Sequence, residues 1–131
     1  EYGHVKLREQ LGLLSGPVEE FQKSAEAEHN AMLSMLVDEG YLDASALEDE
    51  LANENEIIDA LYRGLKGSPC KLMAASIVDA VGEKRTQNQP GTSNEYPNWR
   101  IPLADGDGNV VPLEQLFDNT RLQEIAAIMR G

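Results

Sequence analysis

One segment limits what this chain can become. Cys70–Val78 (C-K-L-M-A-A-S-I-V) is a short apolar run, bounded by Pro69 before it and by Asp79 and Gly82 after it. That length and those boundaries suit a buried parallel strand. A short buried helix is the alternative, because the Ala74-Ala75 pair weakens the strand preference. Most of the chain around this run reads as helix or loop. A lone strand among helices cannot make a sheet, since its N–H and C=O groups need partners. The sequence therefore reads as one shaped to complete a larger structure.

The first half predicts helices. Val5, Leu7, Leu11 and Leu14 include a helical face, broken by Gly12 and stopped by Ser15-Gly16-Pro17. Pro17 suits the start of a new helix, with Glu19 and Glu20 in its first turn, where the helix dipole favours anions. Phe21, Ala25, Met32, Met35 and Leu36 continue one apolar stripe, and Gly40 closes the helix, so it should cover roughly 17–39. Leu42–Ala52 predicts a short helix with Asp43 or Ser45 as cap. Asn53 could cap the next helix, where Ile57, Ile58, Leu61 and Leu65 form an amphipathic pattern ended by Gly67-Ser68-Pro69.

Beyond the apolar run, Glu83–Arg100 is rich in Asn, Gln, Pro and Gly and predicts an extended loop. Asp105-Gly106-Asp107-Gly108-Asn109 predicts a hairpin-type turn between Ile101–Leu103 and Val110–Val111. Pro112–Phe117 reads as a helical turn. Asp118 or Asn119 should cap a last helix carrying Leu122, Ile125, Ala126 and Met129 on one face.

Charge narrows the partners. Residues 1–60 hold 15 acids and three bases, so this stretch accounts for the whole net charge of -12. Such a surface repels phosphate backbones and anionic membranes, which argues against nucleic-acid or membrane binding. A solvated helical face is the plain reading of the acids. The chain has no apolar run long enough to span a bilayer, and Glu1–Gln10 is charged throughout, unlike a signal peptide. Cys70 is the sole cysteine, so no intramolecular disulfide forms, which fits a cytoplasmic location.

Two segments carry a resemblance. The first is Leu72-Met73-Ala74-Ala75-Ser76-Ile77-Val78-Asp79-Ala80-Val81-Gly82-Glu83, followed by Gln87-Asn88-Gln89-Pro90-Gly91-Thr92. The second is Asn94-Glu95-Tyr96-Pro97-Asn98-Trp99-Arg100. Together they resemble the last barrel strand and following loop of the amylomaltases, the 4-alpha-glucanotransferases of glycoside hydrolase family 77. Gly3–Arg8 and the tail from Ile101 resemble the family more loosely.

The resemblance implies a fold that is mainly α with one or two short strands: the C-terminal slice of a (β/α)8 TIM barrel, comprising its last outer helices, last strand and tail. Residues 1–131 would form a single unit, with 1–67 an acidic helical part and 68–131 the strand, the active-site-side loop and the C-terminal helix. It implies a parent enzyme that transfers alpha-1,4-glucan segments between maltooligosaccharides by a retaining mechanism, with no metal or organic cofactor. The family's nucleophile, acid/base and third carboxylate belong to motifs that no segment here matches. The resemblance therefore places no catalytic residue in this chain, and the chain alone should be inactive. Substrate contact is expected of Asn88, Pro90 and Gly91, since loops after barrel strands line the active-site mouth. An Asn amide can donate to one sugar hydroxyl and accept from another; its other role would be to pin the loop.

Tyr96 and Trp99 could stack on sugars, but within this motif they are expected to pack the loop. Glu95 is expected to serve structure, Arg100 an ion pair, and Asp79 a hydrogen bond at the strand end. Asp105-x-Asp107-x-Asn109 opens like a calcium loop, yet its sixth and twelfth positions are Val110 and Leu116, where an EF-hand needs Gly and Glu. His29 reads as a packed histidine, His4 lacks neighbouring zinc ligands, Cys70 reads as a buried small residue, and Met32 and Met35 read as core. The competing functional class is a non-catalytic acidic helical module. Self-association through the exposed Leu72–Val78 edge is also expected, because an unpaired strand invites it.

Overall fold

The computed structural model describes residues 3–130. These form α1 (Gly3–Gln10), α2 (Val18–Asp38), a 3-10 turn (Ala44–Asp49), α3 (Glu54–Gly67), α4 (Ile77–Val81), α5 (Leu113–Leu116) and α6 (Thr120–Arg130). Among the described residues no helix is long and apolar enough to cross a membrane.

The helix boundaries follow local chemistry. Pro17 sits just before α2, where its carbonyl accepts the Glu20 N–H at 3.2 Å. Gly40 ends α2 at φ +75°, a left-handed conformation that costs glycine nothing. The flanking bonds, Gly40 N–H to Val37 O and Tyr41 N–H to Leu36 O, close a Schellman motif. Asp43 caps the 3-10 turn by accepting the Ser45 N–H at 2.9 Å, and the Ser45 bonds hold its carboxyl below the usual range. Asn119 caps α6 by accepting the Leu122 N–H at 2.8 Å. Asn53 precedes α3, but its amide does not cap that helix; it donates backward to Ala46 O and Asp49 O, tying the 3-10 turn to α3.

The chain divides into two compact units, each discontinuous in sequence. One gathers residues up to Met32 with Arg85–Ile101. It contains α1, the first part of α2 and the polar loop. Val5 is buried here, and the Arg8 guanidinium lies over the Phe21 ring, 5.8 Å from its centroid.

The other unit holds Leu33–Lys84 and the chain from Pro102 onward. Here α3, α4 and α6 pack around Tyr62, Ala80 and Ile125, flanked by Ile58, Leu65, Leu122, Ile128 and Met129. Ile125 is 1% exposed, so the predicted apolar face of α6 is the buried one. Asp59 on α3 and Arg121 on α6 close the same seam with an ion pair of 2.8 Å. The turn at Asp105–Asn109 forms, but its flanks make only one isolated bridge, Ala104 with Val110, beside the bond from Val111 N–H to Leu103 O, so the expected second short strand is absent among the described residues. Asp105 organises that turn by accepting N–H groups of Asp107 and Asn109.

The strand over Cys70–Val78 does not form. Residues 71–76 have no regular structure, and Ile77–Val81 is helical. A strand exists only through its ladder, and among the described residues nothing pairs with this one. Three expectations fall with it. Cys70 is exposed rather than buried, Leu72 is 92% exposed, and no ladder edge stands ready to pair with another copy. Met35 is likewise corrected from core to surface, at 48% exposure, whereas Met32 is half-buried.

Candidate functional site

The loop between α4 and the hairpin carries every residue expected to meet substrate. Its order comes from Asn98. Asn98 Oδ1 accepts the Gln89 N–H at 2.6 Å, and Asn98 Nδ2 donates to Thr92 Oγ1 at 2.9 Å and to Thr92 O at 3.4 Å. Thr92 Oγ1 in turn donates to Gln89 O at 2.7 Å. These bonds fold Gln89–Thr92 into a turn around one amide. Two further bonds lace the strands of the loop: Tyr96 OH donates to Thr86 O at 2.5 Å, and Trp99 N–H donates to Gln87 O at 2.8 Å.

Of the three expected substrate residues, Pro90 and Gly91 lie on this turn and Asn88 immediately precedes it. Asn88 is half-buried, and Pro90 and Gly91 are exposed. Among the described residues the Asn88 side chain makes no hydrogen bond, so pinning the loop falls to Asn98 instead. Gly91 stands at φ +89°, and a Cβ there would lie 3.3 Å from Leu13 Cδ2. The conformation favours glycine, and Leu13 would have to give way slightly to admit any side chain.

Tyr96 and Trp99 part company. Tyr96 packs the loop as expected, half-buried with its hydroxyl bonded. Trp99 does not pack: it is 76% exposed and holds φ +57°, alone among the described non-glycine residues in the left-handed region. Glu95 is structural, since Oε2 accepts the Ser93 N–H at 2.7 Å and that bond lowers its carboxyl. Arg100 is exposed and has no carboxylate partner among the described residues, so the expected ion pair is absent there. Asp79 accepts a hydrogen bond, from Tyr62 OH at 2.5 Å, though at a helix rather than a strand end.

Sequence reasoning missed Asn98 and Tyr62. Asn98 follows a proline in a tight turn, where an Asn amide readily bonds nearby backbone. Tyr62 falls between Ile58 and Leu65 on the apolar face of α3, and a buried phenol needs a partner. A shallow cleft of about 150 Å³ lies between α1 and α2, lined by His4, Arg8, Phe21, Glu28 and neighbours, which is small for a ligand pocket. His29 is half-buried on α2 and is not without a partner. Among the described residues no three His, Cys, Asp or Glu side chains gather as metal ligands would.

Comparison with known proteins bears on this loop directly. The 4-alpha-glucanotransferase of Mycobacterium tuberculosis is 45% identical over 127 residues, covering 97% of this chain. That of Haemophilus influenzae is 29% identical over 122 residues, covering 91%. In both cases the chain spans 17% of the relative's length. The crystal structure of amylomaltase from Corynebacterium glutamicum superposes with a TM-score of 0.78 at 33% identity, covering 98% of this chain and 19% of that one. The glycoside hydrolase family 77 model, described as 4-alpha-glucanotransferase, matches residues 14–107, a span that takes in the Asn98-centred loop whole, and the chain belongs to that family.

Proposed function

We propose that this chain is the closing part of the catalytic barrel of a 4-alpha-glucanotransferase, and that its 86–99 loop holds alpha-1,4-glucan at the active-site mouth. In the retaining reaction a carboxylate attacks the anomeric carbon and a covalent glucosyl intermediate forms. The glucan then passes to the 4-hydroxyl of another sugar, with a second carboxyl as acid and base. Those carboxylates come from the rest of the parent enzyme, so the chain alone is inactive. Its contribution is recognition by Asn88, Pro90 and Gly91.

One observation carries this reading. The loop is ordered by Asn98 and Tyr96, which leaves the Asn88 amide without a partner in the chain. A half-buried amide with both donor and acceptor free suits a pair of sugar hydroxyls. The exposed lone cysteine fits a reducing cytoplasm.

The test is maltotriose disproportionation by the full-length parent, its Asn88→Ala variant and this chain alone. The expected result is no turnover by the chain and a kcat/KM lowered about tenfold in the variant, the scale of one lost hydrogen bond. Turnover by the isolated chain, or unchanged kinetics in Asn88→Ala, would overturn the reading.

A further inference from the structure

We propose that Trp99 is a stacking platform for a glucose ring of the bound glucan. The inference rests on the glucan reading above and adds to it a second kind of contact, made by an aromatic face rather than an amide.

The backbone at Trp99 is where the argument starts. A tryptophan in the left-handed region is strained, because its Cβ crowds the following carbonyl. Strain of this kind persists only where the surroundings enforce it. They do so here on three sides. Trp99 N–H is held by Gln87 O at 2.8 Å, Asn98 before it is fixed through its side chain, and Arg100 N–H after it donates to Pro97 O at 3.0 Å. The same loop stores a second cost, since Gln87 Nε2 is buried with no hydrogen-bond partner.

The indole on this strained backbone is 76% exposed, so the residue has neither conformational ease nor burial within the described chain. Gln87 O belongs to the peptide that joins Gln87 to Asn88, so the bond from Trp99 sets its backbone beside the peptide that leads into Asn88. An exposed flat apolar face and a free amide carried on the two arms so joined match a pyranose, which has an apolar C–H face and a rim of hydroxyls. The match is to a neutral ring: Asn88, Pro90, Gly91 and Asn98 bring no charge to this turn.

Glycine and phenylalanine substitutions separate recognition from folding. Glycine adopts φ +57° without strain, so Trp99→Gly should leave the melting temperature of the full-length parent unchanged or raised. In the same variant the KM for maltoheptaose should rise about tenfold with kcat nearly constant, the pattern of lost uniform binding. Trp99→Phe should fall between. A lowered melting temperature with unchanged KM would mean that the indole packs against the rest of the parent, and would overturn the inference. A KM effect in Asn88→Ala with none in Trp99→Gly would sink the stacking role alone and leave the functional reading standing.

Discussion

Tyr62 donates its hydroxyl hydrogen to Asp79 Oδ2 across 2.5 Å, and the same oxygen accepts the Ser76 N–H at 2.9 Å. One buried phenol on α3 thus fixes both the start and the interior of the short α4 segment. Removing the oxygen leaves a backbone donor and a carboxylate without their partner. Tyr62→Phe is expected to destabilise the protein by about 1–3 kcal/mol, read by urea denaturation. Equal midpoints for the two proteins would contradict the role.

The same pair gives a pH signature. Burial, reinforced by Asp79, raises the Tyr62 phenol above its ordinary value of 10.0. The folded state therefore prefers the neutral phenol. The stability this contributes is whole below pH 10 and is lost as pH rises through the higher folded value. A tyrosinate absorbance titration should show a late ionisation that Tyr62→Phe abolishes.

Arg121 and Asp59 link α6 to α3 with side chains only 19% and 17% exposed. That places the pair between surface ion pairs, worth under about 1 kcal/mol, and buried ones, whose breaking costs about 3–5. Arg121→Ala is expected to cost about 2 kcal/mol. Added salt should erode little of it, because Arg121 also donates to Asn55 O and Glu124. A loss that vanishes in high salt would reduce the contact to an ordinary surface pair.

Asn98→Ala should loosen the loop selectively. Its loss strands the N–H of Gln89, a residue only 7% exposed, and frees Thr92. Hydrogen exchange at the amides of Gln89, Thr92 and Trp99 should accelerate, while those of α3 and α6 keep their rates. Uniform acceleration across the chain would instead point to global destabilisation.

Gly67→Ala tests a close approach. A Cβ at Gly67 would meet the Tyr41 hydroxyl and lie 3.1 Å from Cζ. Alanine ordinarily gains up to about 1 kcal/mol over glycine within a helix. Here, at the last residue of α3, a loss of about 1 kcal/mol is expected, and Tyr41→Phe should recover part of it. Additive effects of the two substitutions would argue against the contact.

Much of this architecture was legible in the sequence. Pro17 and Gly40 bound α2, Asn119 caps α6, and the Asp105–Asn109 turn forms where its composition places it, because each depends on chemistry within a few residues. Cys70–Val78 was misread for the opposite reason. Apolar content makes a segment fit to be a strand, but the strand itself is a property of its neighbours. Asn88, Pro90 and Gly91 fall on or beside one turn because they are near neighbours in sequence, yet the amide that organises the turn, Asn98, lies ten residues beyond Asn88. Trp99 was expected to pack because of the Tyr-Pro-Asn-Trp motif it closes, and no residue pattern announces a left-handed backbone.

The close approach of Leu13 to Gly91 joins positions separated by more than half the chain. It has a kinetic consequence. Closing so long a loop costs chain entropy before the contact returns any stabilisation, and such contacts form slowly. During synthesis from the N-terminus, α1 and the front of α2 must wait for Arg85–Ile101 to emerge before their unit can condense. The turn bearing Asn88 and Trp99 should thus be among the last parts to set, later than helices such as α3 that need only local contacts to begin.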